Sequence, residues 1–206
     1  MVAVRTMFLI TAQVVPTARH DLALLDAARR AGVRRVVKPS AIGTGQKIGS
    51  DVVGAWHMTA EQAVRDSGLG WTVLRPSSFA SNTLQWVDAI DKGQPLPDLT
   101  GPGQQGVINP YDVAAVAVEI LLSSAHVGKI YTLTRPELLT VAEQVACLSR
   151  VTGRRIGTLS WAGPRPASRP GPTSTAAPSA RHDPVQLRRA VGWADRGATV
   201  VPWDCT

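Results

Sequence analysis

Residues 33–82 read VRRVVKPSAIGTGQKIGSDVVGAWHMTAEQAVRDSGLGWTVLRPSSFASN, and the order of patterns inside them decides the fold. Arg34 to Ser40 is a short apolar run between Gly32 and Ala41-Ile42-Gly43, and Trp71 to Leu74 is a second one, stopped by Arg75-Pro76. Both have the length and boundaries of buried strands. Between them Trp56, Ala60, Ala63 and Val64 recur at helical spacing over Ala55 to Ser67, with Gly68 placed to end the helix. Strand, helix and strand in this order form a parallel, right-handed crossover unit. Ligands of such sheets lie beyond the carboxyl ends of the strands, which singles out Ser40-Ala41 and Pro76 to Phe79.

Working outward toward the N-terminus, Asp21 to Ala31 carries Leu22, Leu25 and Ala28 on one helical face, with Thr17 as a candidate N-cap and Gly32 closing the helix. Val4 to Thr11 (VRTMFLIT) is an apolar run of strand length. The chain is therefore expected to lay down three parallel strands in succession, an α/β fold. Toward the C-terminus Asn82 to Ile90 reads as helical. Asp91 to Gly106 holds four Gly and three Pro, the composition of a surface excursion that shapes a pocket. Val107-Ile108 is a short strand, Pro110 opens an apolar helix running to Leu122 with Asp112 in its first turn, and Lys129 to Thr134 is another strand. Thr140 and Glu143 have the spacing of a capping box at the head of a helix that Gly153 ends. From residue 157 the periodicity fails: Trp161 to Ser179 contains five Pro among Ala, Ser, Arg and Thr, and a disordered basic tail is expected over 157–206.

The 206 residues, 44% of them apolar, suffice for one sizeable core. The net charge of +7 invites a nucleic-acid reading until it is located. Residues 1–149 hold thirteen Lys or Arg against twelve Asp or Glu, whereas residues 150–206 hold nine against three. The body thus has no basic surplus to attract a polyanion, and no nucleic-acid partner is expected. No run of eighteen apolar residues and no leader pattern appears, so the sequence reads as a soluble, cytoplasmic protein with no membrane partner. Two cysteines, Cys147 and Cys205, make neither a disulfide framework nor a metal set.

Several separate stretches resemble the NmrA-like, atypical short-chain dehydrogenase/reductase family: MFLIT, DAARRAGVRRVVKPSA, WHMTAEQAVRDSGLGWTVLRPSSF, INPYDVAAVAVEIL and GKIYTLTRPELLTVAEQVACLSRVTGRRI. The likeness covers about residues 5–156. It implies a partial doubly wound parallel Rossmann-like sheet lacking its first strands, with a small substrate-side subdomain from about residue 80 and one body over 1–156. In family terms this chain begins at the fourth strand, so the Gly-rich pyrophosphate turn of the first unit and the NAD-or-NADP selecting residue of the second are not encoded. Gly43-Thr44-Gly45 follows the wrong strand and opens no helix at once, and is not read as a phosphate loop.

The resemblance also implies a site for NADP or NAD. Thr11 and Ala12 after the first strand, Ser40 and Ala41 after the second, His57 on the helix, and Pro76, Ser78 and Phe79 after the third are expected to contact the nicotinamide ring and one ribose, with Asn82 and Trp86 facing substrate. Typical short-chain dehydrogenases use a Ser, a Tyr and a Lys four residues later. Here Ser40 matches the Ser, Val53 stands where the Tyr would be, and His57 falls where the Lys would be. Ser40 and His57 are the catalytic candidates, His57 holding ribose or giving a proton. Two plainer readings stay open: Ser40 as a strand-end hydrogen-bonding residue, and His57, Glu61 and Arg65 as a solvated polar ladder on the outer face of the helix.

The expected function is that of an NAD(P)H-dependent oxidoreductase acting on a quinone-like or other conjugated small molecule, impaired by loss of the Gly-rich motif and binding cofactor weakly. The alternatives are a non-catalytic dinucleotide- or metabolite-sensing module and an inactive fragment. The first strand, unpaired on one side, is expected to recruit a second copy or a partner protein.

Overall fold

In the computed structural model of the chain, residues 4–11, 18–48 and 51–160 are described. They divide into two units, one formed by the chain up to Phe79 and by Ile108–Arg135, the other by Ala80–Val107 and the chain from Pro136. The expectations for the tail beyond residue 160, for Thr17 and for Ala12 fall outside the described residues.

In chain order the first unit begins β1 (Thr6–Phe8), α1 (Arg19–Arg30), β2 (Arg35–Pro39), β3 (Lys47–Ile48), β4 (Asp51–Val52), α2 (Ala55–Asp66), β5 (Gly70–Pro76) and β6 (Ser78–Phe79). The second unit follows with a 3₁₀ helix over Ala80–Trp86, α3 (Val87–Asp91) and β7 (Leu96–Asp98), and β8 (Gln105–Ile108) leads back to the first unit. There the chain adds α4 (Pro110–Leu122) and β9 (Lys129–Leu133), then ends its described course in the second unit with β10 (Leu138–Leu139), α5 (Val141–Thr152) and β11 (Thr158–Ser160).

The first unit is built on a four-stranded sheet in the order β1-β2-β5-β9. Every pairing is parallel, with Phe8 opposite Val37, Val36 opposite Trp71 and Leu74 opposite Tyr131. The parallel strands and the helices between them match the expected α/β fold. Val36, Val37, Val73 and Leu74 are at most 2% exposed, which is why β2 and β5 read as continuous apolar runs rather than as alternating ones. Leu9, Leu25, Val36, Val64 and Leu69 form the core between sheet and helices, and Met7, Ala63 and Trp71 pack against it. Each such aliphatic side chain stabilises the fold by roughly 1.5 to 3 kcal/mol.

Three details differ from the reading of the sequence. β1 is three residues rather than eight, although the Leu9 N–H still reaches the Val37 carbonyl at 2.9 Å. β9 joins the sheet as a fourth parallel strand beside β5, a neighbour 53 residues away that no local pattern discloses. The hairpin of β3 and β4 has no signature in the sequence, since two residues per strand carry no periodicity.

In the second unit Leu96, Val141 and Val145 form a core against which Trp86, Ala89, Ile90 and Ile156 pack. β8 pairs with β10, and β7 pairs with β11, so residues 158–160, expected at the head of a disordered tail, are instead a strand held by backbone hydrogen bonds to Leu96–Asp98. The capping box is present: Thr140 Oγ1 accepts from the Glu143 N–H at 3.1 Å, and Glu143 accepts from the Thr140 N–H at 2.7 Å. Gly153 ends α5 with φ of 67°. Among the described residues no helix is long and apolar enough to cross a membrane.

Candidate functional site

The carboxyl ends of β1, β2 and β5 lie side by side, because the three strands are parallel and adjacent. The ladder continues past their ends: the Ser40 N–H donates to the Leu74 carbonyl at 2.7 Å, and Ile42 N–H to Pro76 at 2.9 Å. Thr11, Ser40-Ala41 and Pro76 are thereby brought to one edge of the sheet, where ligands of parallel α/β folds sit.

A single arrangement occurs twice along this edge. Behind β1, the Thr11 hydroxyl donates to the Asp21 carboxylate of α1, at 3.1 Å to Oδ1 and 3.2 Å to Oδ2, and Lys38 of β2 pairs with Asp21 at 2.7 Å. Behind β2, the Ser40 hydroxyl donates to Glu61 Oε1 of α2 at 2.6 Å, and Arg75 of β5 grips both carboxylate oxygens at 2.9 and 2.8 Å. Each unit is a strand-end hydroxyl, a carboxylate from the following helix and a cation from the next strand. Asp21, Lys38 and Glu61 are 0%, 2% and 1% exposed, so each charge depends on its partner for solvation.

Glu61 corrects the idea of a solvated ladder. Arg65 does reach it at 2.9 Å from the next helical turn, but Ser40 and Arg75 bond it from the sheet. Burial alone would raise its carboxyl above the ordinary value; the hydrogen bonds from Arg75 and Ser40 and the charges of Arg75 and Arg65 outweigh that and hold it below. Glu61 is therefore an anion.

The Ser40 hydroxyl has its proton committed to Glu61. Its other contact, Thr44 Oγ1 at 3.3 Å, gives its own proton to the Ala41 carbonyl at 2.8 Å. Thr44 belongs to a self-bonded turn in which Gly45 N–H meets the Val53 carbonyl at 3.0 Å and Gly43 and Gly45 take φ of 77° and 85°. Gly43-Thr44-Gly45 is a turn that bonds itself and leads into the β3–β4 hairpin.

His57, one turn before Glu61, stacks on Trp56 with ring centroids 3.4 Å apart, and its Nδ1 is buried with no partner among the described residues. Burial, then the positive charge of Lys38, lowers its pKa against the opposing pull of Glu61 and Asp21. The imidazole is neutral at pH 7. Pro76 is buried and Ser78 and Phe79 are half-buried at the end of β5 and in β6, and the neighbouring Ser77 hydroxyl is buried with no partner among the described residues. Asn82 and Trp86 lie in the second unit, Asn82 exposed and Trp86 packed against that unit's core.

Sequence reasoning missed Asp21, Lys38, Arg75 and Thr44. One signal was available, a lysine inside the apolar run VVKPS, since such a residue is buried only with an anion beside it.

An all-parallel sheet flanked by helices, with polar strand ends gathered at one edge, defines a Rossmann-type α/β protein. Residues 10–124 match the family model described as NAD(P)H-binding, and the chain belongs to that family. It is 41% identical over 151 residues to (4-alkanoyl-5-oxo-2,5-dihydrofuran-3-yl)methyl phosphate reductase of Streptomyces griseus, covering 73% of this chain and 53% of that protein. It is 36% identical over 151 residues to the NAD(P)H azoreductase of Xenophilus azovorans, covering 72% and 52%. The Escherichia coli NADPH-dependent quinone oxidoreductase, solved in complex with NADPH, shares the fold at a TM-score of 0.67 and 23% identity, over 76% of this chain and 55% of that one. The chain spans about half the length of the curated relatives it matches.

Proposed function

We propose that this chain carries the nicotinamide side of a reductase that passes hydride from NADPH or NADH to a conjugated small molecule such as a quinone. Thr11 and Ala12, Ser40 and Ala41, and Pro76, Ser78 and Phe79 contact the nicotinamide ring and its ribose; Asn82 and Trp86 belong to the substrate side. The bound dihydronicotinamide supplies the hydride. His57, neutral and with an unspent buried nitrogen, holds ribose or relays a proton from water to the reduced acceptor. The observation that carries this reading is the row of hydroxyls at adjacent parallel strand ends, each locked by a buried carboxylate and cation. The reductase names of the relatives at 41% and 36% identity support the reaction class.

Reduced nicotinamide mononucleotide, which is the nicotinamide half of the cofactor, tests it by titration against tryptophan fluorescence, because Trp56 is stacked on His57. Saturable quenching that weakens in His57→Ala and Phe79→Ala is expected. No response at millimolar ligand would overturn the reading. We further propose that β1, which has β2 on one side and no described strand on the other, pairs there with a second copy or a partner protein, and that the protein works in the cytoplasm.

A further inference from the structure

The pair formed by Asp21 and Lys38 at 2.7 Å is closed off from solvent. Apolar side chains of similar bulk tie a helix to a strand without desolvating two charges. What they do not do is orient a hydroxyl. Lys38 Nζ donates to Thr11 Oγ1 at 3.1 Å, while Thr11 Oγ1 donates into the Asp21 carboxylate at 3.1 and 3.2 Å. The Thr11 proton is thereby turned inward and one of its two lone pairs is filled by an ammonium; a single lone pair is the hydrogen-bonding capacity left on that oxygen.

We infer that Asp21 and Lys38 are positioning residues that fix Thr11, at the end of β1, as a hydrogen-bond acceptor for a ligand group bearing an O–H or N–H donor and not for a phosphate. The inference rests on the nicotinamide-side reading, in which the donors within reach of this strand end are a ribose hydroxyl and the carboxamide N–H. Asp21 stands in the first turn of α1, where the helix dipole favours an anion, so the carboxylate is held from both sides. Thr11 is half-buried, whereas Asp21 and Lys38 are fully enclosed, so of the three only Thr11 has surface left for a ligand.

The test compares the Asp21→Leu/Lys38→Met double variant, which leaves no unpaired buried charge, with Thr11→Val and Thr11→Ser. Folding is read from near-ultraviolet circular dichroism, and affinity from titration with reduced nicotinamide mononucleotide. The double variant is expected to fold and to bind about tenfold more weakly, the worth of one hydrogen bond. Thr11→Val should lose the same factor, with no further loss when the two are combined, while Thr11→Ser stays near wild type. Unchanged affinity in the folded double variant, or losses that multiply, would overturn the inference. Should the double variant fail to fold, a normally folded Thr11→Val with wild-type affinity overturns it equally. Two probes separate the donors: the 3-acetylpyridine analogue keeps the ribose and lacks the amide N–H, and 1-methyl-1,4-dihydronicotinamide keeps the amide and lacks the ribose. One of them must become insensitive to Thr11→Val; sensitivity of both would count against the inference. Absence of binding by the wild-type chain, seen before any substitution is made, removes the nicotinamide reading itself and this inference with it.

Discussion

The Ser40 hydroxyl and the Glu61 carboxylate meet at 2.6 Å across 21 residues of chain, and this bond joins the end of β2 to the middle of α2. Because Arg75 brings β5 to the same carboxylate through two hydrogen bonds, Glu61 fastens two strands and a helix at one point.

Removing that charge should be costly. Glu61→Gln keeps the shape of the side chain but leaves the Arg75 and Arg65 guanidinium groups without their anion. A loss of about 2 to 4 kcal/mol is expected in denaturant unfolding, less than for a fully enclosed pair because Arg75 is 24% exposed. The wild-type carboxyl is held below its ordinary value by these partners. Its contribution is therefore complete above the unfolded-state value and is lost as pH falls through the lower folded-state value. Glu61→Gln should flatten this acid limb of the stability profile; an unchanged limb would show that other groups produce it.

His57 acts in the same direction as Glu61, but in a higher pH window. Burial and the Lys38 charge lower its pKa below the ordinary histidine value, so the unfolded chain takes up the proton first as pH falls. Stability should decline from about pH 6.5 downward until the folded imidazole protonates as well. An NMR titration of the His57 ring should give a midpoint below that of a free histidine, and a midpoint above it would contradict the arrangement described.

Gly54 starts α2 at φ of 59°, and a Cβ there would lie 3.0 Å from Thr44 Oγ1. Gly68 has a similar φ of 75° but open space around it. Gly68→Ala should cost about 1 kcal/mol from backbone strain alone, and Gly54→Ala more, because the Thr44 turn must also give way. Thermal unfolding of the two variants checks this, and equal losses would mean that the Thr44 turn yields freely.

Pairing through β1 predicts association. Val4 and Ile10, flanking the strand, are each 64% exposed. Light scattering should show a mass that rises with concentration, and Ile10→Lys, which places a charge beside the edge, should lower it. A constant monomer mass at high concentration would leave pairing with a different protein as the remaining form of that proposal.

What the sequence determined by itself is local. Gly32 and Gly68 bound α1 and α2, the apolar runs on either side of α2 give β2 and β5, and the Thr140–Glu143 box is written in four consecutive residues. These features need only a turn of chain to express themselves. The tertiary structure alone decided that β9 lies beside β5, that the chain returns to its first unit at Ile108, and that Glu61 is buried. By spacing, His57, Glu61 and Arg65 suit a solvated helix face equally well. Burying a carboxylate becomes tolerable only when hydrogen bonds from elsewhere replace its water, and those come from Ser40 on one strand and Arg75 on another, residues whose approach no helical period encodes.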